Sequence, residues 1–266
     1  MSGLKVWVQG IGLLGPGLSS WAASLAVLRG AATYCSAPTA LPAPARLPPA
    51  ERRRAGAAVK LALAVADEAV AQAQVDAATL ATVFTSSSGE GMNCHVLCET
   101  LATAAPMVSP TRFTNSVHNA ASGCWHIAVG SRASSTSLCA FDGSFGAGLI
   151  EAATSVALSR APMLLVASDS PYPEPLNATR PLPDHFGLAL VLAPVADAHS
   201  IAALTIELID ARHEASVCTD AALEALRHAI PAAAALPLLV ALAQRGAQHS
   251  IVLDHLGRMR LQVDVL

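Results

Sequence analysis

Several residues of this 266-residue sequence are of types and spacings that could do chemistry. Gly10-Ile11-Gly12-Leu13-Leu14-Gly15 matches the GxGxxG spacing in which a strand, a turn and a helix cradle a pyrophosphate on helix N–H groups. That chemistry also needs an acid about 20 positions further on to hold the ribose hydroxyls. The first acid of this chain is Glu51, and Pro16 and Gly17 interrupt the required helix start, so no nicotinamide or flavin cofactor is expected. Cys94, His95 and Cys98 lie within one helical turn, a zinc-like set, but no second ligand pair follows; a buried helix face without metal is the expectation. Asp169, Asp184 and His185 follow strands and imitate a hydrolytic cluster, yet no serine in a nucleophile-elbow spacing accompanies them. His118 and His126 read as satisfied polar contacts. The run Arg52-Arg53-Arg54 reads as a solvated face, with contact to an acidic carrier protein as the alternative.

The elements that must position these groups follow from hydrophobic periodicity. Leu4 to Val8 reads as a strand entering a turn at Gly10 to Gly15, and Ser19 to Leu28 has helical spacing with Ser19 or Ser20 as cap. A Pro-rich loop over 36–49 ends at one helix running from about Glu51 to Ala73, with the three arginines unfavourably placed in its first turn. Buried strands are expected at Ala81 to Thr85, Met163 to Ala167 and Leu188 to Ala193, and an alternating strand at Ser135 to Phe141. Helices are expected from the small-residue turn 86–91 to about Thr103, over Asn119 to Val129 and over Ala147 to Ser159, while Ser109-Pro110 opens a loop. Later come a strand at Ala202 to Ile209, a helix at Asp220 to Ile230, helix or strand near Leu238, and a closing pair at Ile251 to Leu253 and Arg260 to Val265. Strands alternating with helices predict an α/β layered fold.

Composition narrows the partners. A net charge of -3 gives no basic field for nucleic acid or anionic lipid. Hydrophobic residues make up 53% of the chain and charged ones 13%, which favours a large core and an apolar surface patch suited to a protein partner. Six cysteines without disulfide or zinc spacing read as free thiols in a reducing cytoplasm. No signal core follows Lys5, and the apolar run from Ala229 to Ala243 is broken by Pro231 and Pro237, short of the ~20 residues of a membrane span.

Ser109-Pro110, then Asn119 followed by three small residues and Gly123, then Gly130 eleven positions after the Asn, resemble the β-ketoacyl synthases in order and spacing. Gly89 and Gly91 fall where that family keeps a glycine-rich turn, and Ile11 to Leu25 looks like its first turn and Trp-bearing helix, so the resemblance covers about residues 4 to 193. It implies an α/β, thiolase-like α-β-α fold, with a ketosynthase-like domain over 1–194 and a reduced C-terminal segment over 195–266 packed on the same core.

Counted without gaps from Asn119, the family's nucleophilic cysteine falls on Asp142, between the strand and the next helix. A carboxylate there is a poor acyl acceptor, though it suits a helix amino end and could simply cap it. Cys139 is the alternative nucleophile if the register slips, and a packed core thiol otherwise. None of His199, His213, His228, His249 or His255 stands in the His-x-Thr-Gly-Thr context of the family's second half, so decarboxylating condensation lacks both nucleophile and oxyanion support.

The resemblance therefore implies a chain-length-factor-like subunit of type II, aryl-polyene-type systems. Such a chain forms a heterodimer with a complete β-ketoacyl synthase and meets acyl carrier protein transiently. Ser135, Thr136, Ser137, Leu138, Cys139, Ala140 and Phe141 would form the partner interface. Met92 and Val96, then Thr111, Arg112, Phe113, Val117 and His118, would shape the acyl tunnel. The alternatives are an independent acyltransferase or thioesterase using Cys139, and a homodimeric acyl-binding protein.

Overall fold

The structure, a computed structural model, describes residues 3–244 and 246–266. Its first half runs β1 (Leu4–Leu14), α1 (Trp21–Leu28), α2 (Pro49–Arg54), α3 (Ala57–Ala73), β2 (Ala81–Thr85), α4 (Gly91–Leu101), α5 (Pro110–Thr114), α6 (Ala120–Val129) and β3 (Ser135–Leu138). The second half runs α7 (Ser144–Ser159), β4 (Met163–Asp169), α8 (Leu176–Thr179), β5 (Phe186–Ala193), β6 (Ala202–Asp210), α9 (Ala221–Ala229), α10 (Leu236–Ala243), β7 (His249–Asp254) and β8 (Met259–Val265).

The eight strands form one mixed sheet in the order β3-β2-β4-β5-β1-β6-β8-β7. β2 is parallel to both β3 and β4, and the remaining pairings are antiparallel. Every residue of β4 and β5 is buried, because helices cover both faces, and this is why both strands read as unbroken apolar runs. Alternate residues divide between the layers: Leu164, Val166, Ala189 and Val191 join α3 and α6 in one core, while Leu165, Leu188, Leu190 and Leu192 join α1, α7 and α10 in the other. The result is the α-β-α sandwich that the alternation of elements predicts.

The expected turn at Gly10 to Gly15 is not there. β1 continues through it to Leu14, and the glycines are needed because α3 lies directly on the strand. A Cβ on Gly10 would run into the Ala69 carbonyl and one on Gly12 into the Val65 carbonyl. Along β1, β6 pairs with Leu4 to Val8, and α3 completes the far half of the strand. Gln72 Oε1 accepts from the Ile11 amide at 2.7 Å, and the Glu68 carboxylate accepts from the Leu13 and Trp21 amides at 2.9 and 2.7 Å. The GxGxxG match is thus a packing motif.

Other boundaries differ for local reasons. The single helix expected over 51–73 is broken at Ala55 and Gly56, which puts the arginines in the last turn of α2, the favourable end of the dipole. Arg52 donates to the Ala45 and Leu47 carbonyls and Arg54 pairs with Glu51, so these two are not free surface charges. Ser109-Pro110 starts a short helix: the serine side chain caps α5 and the proline occupies its first turn. The expected strand Ser135 to Phe141 ends at Leu138, and α7 begins at Ser144, earlier than the spacing suggests.

The C-terminal strands are tied by charge. Arg227, almost buried on α9, donates from both Nε and Nη2 to the Glu224 carboxylate at 2.7 to 3.0 Å, and its Nη1 lies 3.5 Å from Asp254 on β7. These bonds hold the Glu224 carboxyl down to about 2. A carboxyl depressed from 4.5 contributes stability that is complete above pH 4.5 and lost as pH falls toward 2. Arg227→Met should therefore flatten the acid-unfolding curve between those two pH values, followed by far-UV circular dichroism. Gly12→Ala should lower the urea midpoint by the equivalent of about 1–3 kcal/mol or prevent folding, since the new methyl meets backbone. An unchanged midpoint would refute the close approach of α3 to β1.

Candidate functional site: the strand-to-helix elbow

β3 leads through Cys139 and Ala140 into a single 3-10 turn, Phe141 to Gly143, and then α7. Phe141 is forced to a φ of 52°, a left-handed conformation that costs a bulky side chain energy and that tight functional elbows store. Ser144 holds the turn: its hydroxyl donates to the Phe141 carbonyl at 2.7 Å and accepts from the Ala140 amide at 3.0 Å. Thr85 at the end of β2 donates to the Ser144 carbonyl at 2.8 Å, fixing the start of α7 to the sheet.

Asp142 stands on this turn with its carboxylate 65% exposed. It caps no helix amide; it pairs with Arg180, whose guanidinium also lies 3.7 Å from the centre of the Phe141 ring and 5.5 Å from that of Tyr172. Arg180 was not visible as a site residue in the sequence, because it lies far along the chain in a loop without periodicity. Cys139 is exposed and not a packed core thiol, since β3 has already ended. Its Sγ donates to the Ser87 carbonyl at 3.1 Å, a bond that only the protonated thiol can make.

The small-residue turn beside the elbow is built on Asp169. This carboxylate, 2% exposed at the end of β4, accepts from the Ser87 amide at 2.7 Å and the Ser86 hydroxyl at 3.2 Å, and its other oxygen accepts from the Ala232 amide at 2.8 Å. Burial pushes its pKa up while those hydrogen bonds oppose the rise. Ser86 Oγ then accepts from the Gly89 amide at 3.0 Å, and Gly89 takes a φ of 66°. Asp169 is therefore a structural clamp. Asp184 is separate from it, accepting from the Thr39 amide at 2.9 Å, and His185 bonds Ser170 at 3.0 Å, so the three do not assemble as a hydrolytic cluster.

Of the other histidines, His126 sits within 3.1 Å of the Thr82 hydroxyl with its pKa lowered by burial, and His118 is exposed above the turn. His255 was set aside in the sequence because of its context, yet the β7–β8 connection carries it to α7, next to Gly146 and the elbow. Burial lowers its pKa, and its Nδ1 has no partner among the described residues. Cys94 and Cys98 are exposed and so do not form a buried face, His95 pairs with Glu99 at 3.2 Å, and no group of three or more potential metal ligands occurs among the described residues.

A cavity of about 360 Å³ lies between the α2–α3 break, the turn 86–91, α4 and α6, and Met92 and Arg112 line it. His118 lines a smaller neighbouring pocket that shares Ala58, Val59, Gly89 and Glu90 with the first. α4 and α5 pack together, with the Asn93 amide donating to the Arg112 carbonyl at 2.6 Å. Phe113 and Val117 remain exposed there, Phe113 at 67%. Thr111 and Val96 are half-buried. No described helix is long and apolar enough to cross a membrane.

The chain superposes on one chain of the complex of a ketosynthase (ApeO) with its chain length factor (ApeC) from Xenorhabdus doucetiae, with a TM-score of 0.73 and 22% identity, over 98% of this chain and 99% of that one. The ishigamide ketosynthase/chain length factor gives a TM-score of 0.70 at 17% identity, covering 99% of both chains. A beta-ketoacyl synthase from Burkholderia phymatum STM815 gives 0.61 at 14% identity, over 87% of this chain and 71% of that one. At these identities the likeness establishes a shared fold. No curated protein sequence matches the chain. The model of the beta-ketoacyl synthase N-terminal domain matches residues 26–250, and with the elbow geometry above this makes the chain a member of that family.

Proposed function

We propose that the chain is a non-catalytic, chain-length-factor-like subunit that pairs with a complete β-ketoacyl synthase. One observation supports the reading: the strained elbow presents Phe141 and an Arg180-paired Asp142, at the position where the register counted from Asn119 would put the family's nucleophilic cysteine. In this reading 1–194 is the ketosynthase-like unit and 195–266 a reduced second half that completes its core.

The pairing surface follows from the sheet. Among the described residues β3 is an edge strand bonded to β2 on one side, so the outward N–H and C=O groups of Ser135 and Ser137 are available to a strand from another chain. Ser135 to Leu138 would make that ladder, with Cys139, Ala140 and Phe141 continuing the contact. α6 flanks it, with the Ser122 and Ser137 hydroxyls 3.0 Å apart, and Ile127 of that helix is exposed, as are Met92, Phe113, Val117 and Phe141 elsewhere on the surface. Their desolvation supplies affinity that a four-residue ladder cannot. Met92, Val96, Thr111, Arg112, Phe113, Val117 and His118 would then shape the partner's acyl tunnel, in aryl-polyene or related polyketide synthesis in the cytoplasm. Exposed Arg53 offers a transient contact for an acidic acyl carrier protein.

The exposure of Cys139 favours a second reading, an acyltransferase or thioesterase that uses this thiol. Two measurements separate the readings. Co-expressed with the ketosynthase encoded beside it, the chain should purify one-to-one. Ser137→Pro, which removes an amide donor that points away from β2, or Phe113→Asp should weaken that complex at least about tenfold, while Asp142→Ala should leave product formation unchanged. Incubation with an acyl-carrier thioester followed by intact mass should give no adduct on the chain; a stable acyl group on Cys139 would establish the second reading.

A further inference from the structure

Packing holds α4 weakly: in its 11 residues only Leu97 is buried. Two thiols, Cys94 and Cys98, stand exposed on it, and both are free. Four residues apart on an unbroken helix, they share one face with their Cβ atoms about 5–6 Å from each other. The Cys94 Sγ donates to the Ser116 carbonyl at 3.2 Å, which fixes its orientation. Partial burial, and after it the neighbouring Cys98, push the Cys94 thiol up, so the two sulfurs are close enough to feel each other's charge. Met92 and Val96 are two residues out of step with this pair and lie on the other side of the helix.

Geometry separates the chemistries open to such a pair. A disulfide needs Cβ atoms about 3.5–4.5 Å apart, closer than one turn of intact helix allows, so joining these sulfurs would distort α4. Zinc takes four donors, but His95 is engaged by Glu99 at 3.2 Å, and no group of three or more candidate ligands occurs among the described residues. What remains is an ion satisfied by two thiolates. Metal–thiolate bonds of about 2.3 Å put two sulfurs up to roughly 4.6 Å apart, a span that one helical turn offers without moving its backbone. Soft thiolate ligands select Cu(I).

We propose that Cys94 and Cys98 form a two-coordinate thiolate site for Cu(I). The ion takes one bond from each sulfur, both thiol protons leave to solvent, and no electron is transferred; two thiolates and one monovalent cation leave a single net negative charge. The Cys94–Ser116 bond is given up, since a thiolate has no proton to donate. In return the ion bridges one turn of a weakly packed helix and clamps it. This site stands whether or not the chain pairs with a ketosynthase. The test titrates the full, reduced chain with Cu(I) under anaerobic conditions in competition with bicinchoninate. One ion should bind per chain, and Cys94→Ser and Cys98→Ser should each lower its affinity at least about tenfold. Both positions are exposed, so the serine variants should keep the native far-UV circular dichroism. Cys35→Ser combined with Cys139→Ser, which removes two exposed thiols elsewhere, should leave stoichiometry and affinity unchanged, as should His95→Ala. Loading should slow amide hydrogen exchange across α4 in the unmodified chain and not in the Cys94→Ser chain. An affinity that survives loss of either cysteine, a loss of binding in His95→Ala, copper-dependent dimers in which each chain supplies one sulfur, or loading that leaves exchange in α4 unchanged would each overturn the inference.

Discussion

The Asp169 carboxylate is the point at which three separate stretches of chain are made to agree. It ends the buried strand β4, fixes the turn at Ser86 and Ser87, and reaches Ala232 between α9 and α10. Carrying a charge into so dry a place is costly unless each lone pair finds a donor, and here three donors converge. The turn then sets where α4 begins and where the Ser87 carbonyl meets Cys139. Elbow and cavity share this one support, although they lie on different parts of the turn. Because Ala232 belongs to the C-terminal segment, that segment helps to hold the turn beside the elbow.

The elbow is a strained turn held from several sides. Phe141 takes a left-handed conformation, and Ser144 and Thr85 brace the turn. A guanidinium stacks on Phe141 and pairs with Asp142. Stacking and ion pairing on one planar group lock its orientation in a way that a lysine could not. In the proposed pairing, the elbow would serve as part of the contact surface.

Much of this was legible in the residue order. The buried strands and the helices α6, α7 and α9 were readable because their apolar periods are long and regular, and the α-β-α layering followed from their alternation. The glycine pattern at Gly10 to Gly15 misled, since a glycine required by close helix-on-strand contact has the same spacing as one required by a turn. The break at Gly56 was hidden inside a continuous helical pattern, and the true end of β3 was obscured by alternation that ran on through Phe141. Asp142 was placed at the elbow because a motif fixed its register, and the structure puts it on the turn before α7. Arg180 and His255 gain their meaning from contacts across the fold, which no local spacing encodes.

The sheet's open margin at β3 is short and hydroxyl-rich, with Ser135, Thr136 and Ser137 in four residues. Strands of that kind make poor templates for indiscriminate stacking, because they offer few ladder bonds and little apolar area. In the proposed pairing, selectivity for the right companion would come from the shape of the flanking helices. Stoichiometry would then constrain a cell making this polypeptide more than the danger of fibrous self-assembly, since a copy without a counterpart would leave exposed apolar side chains in water.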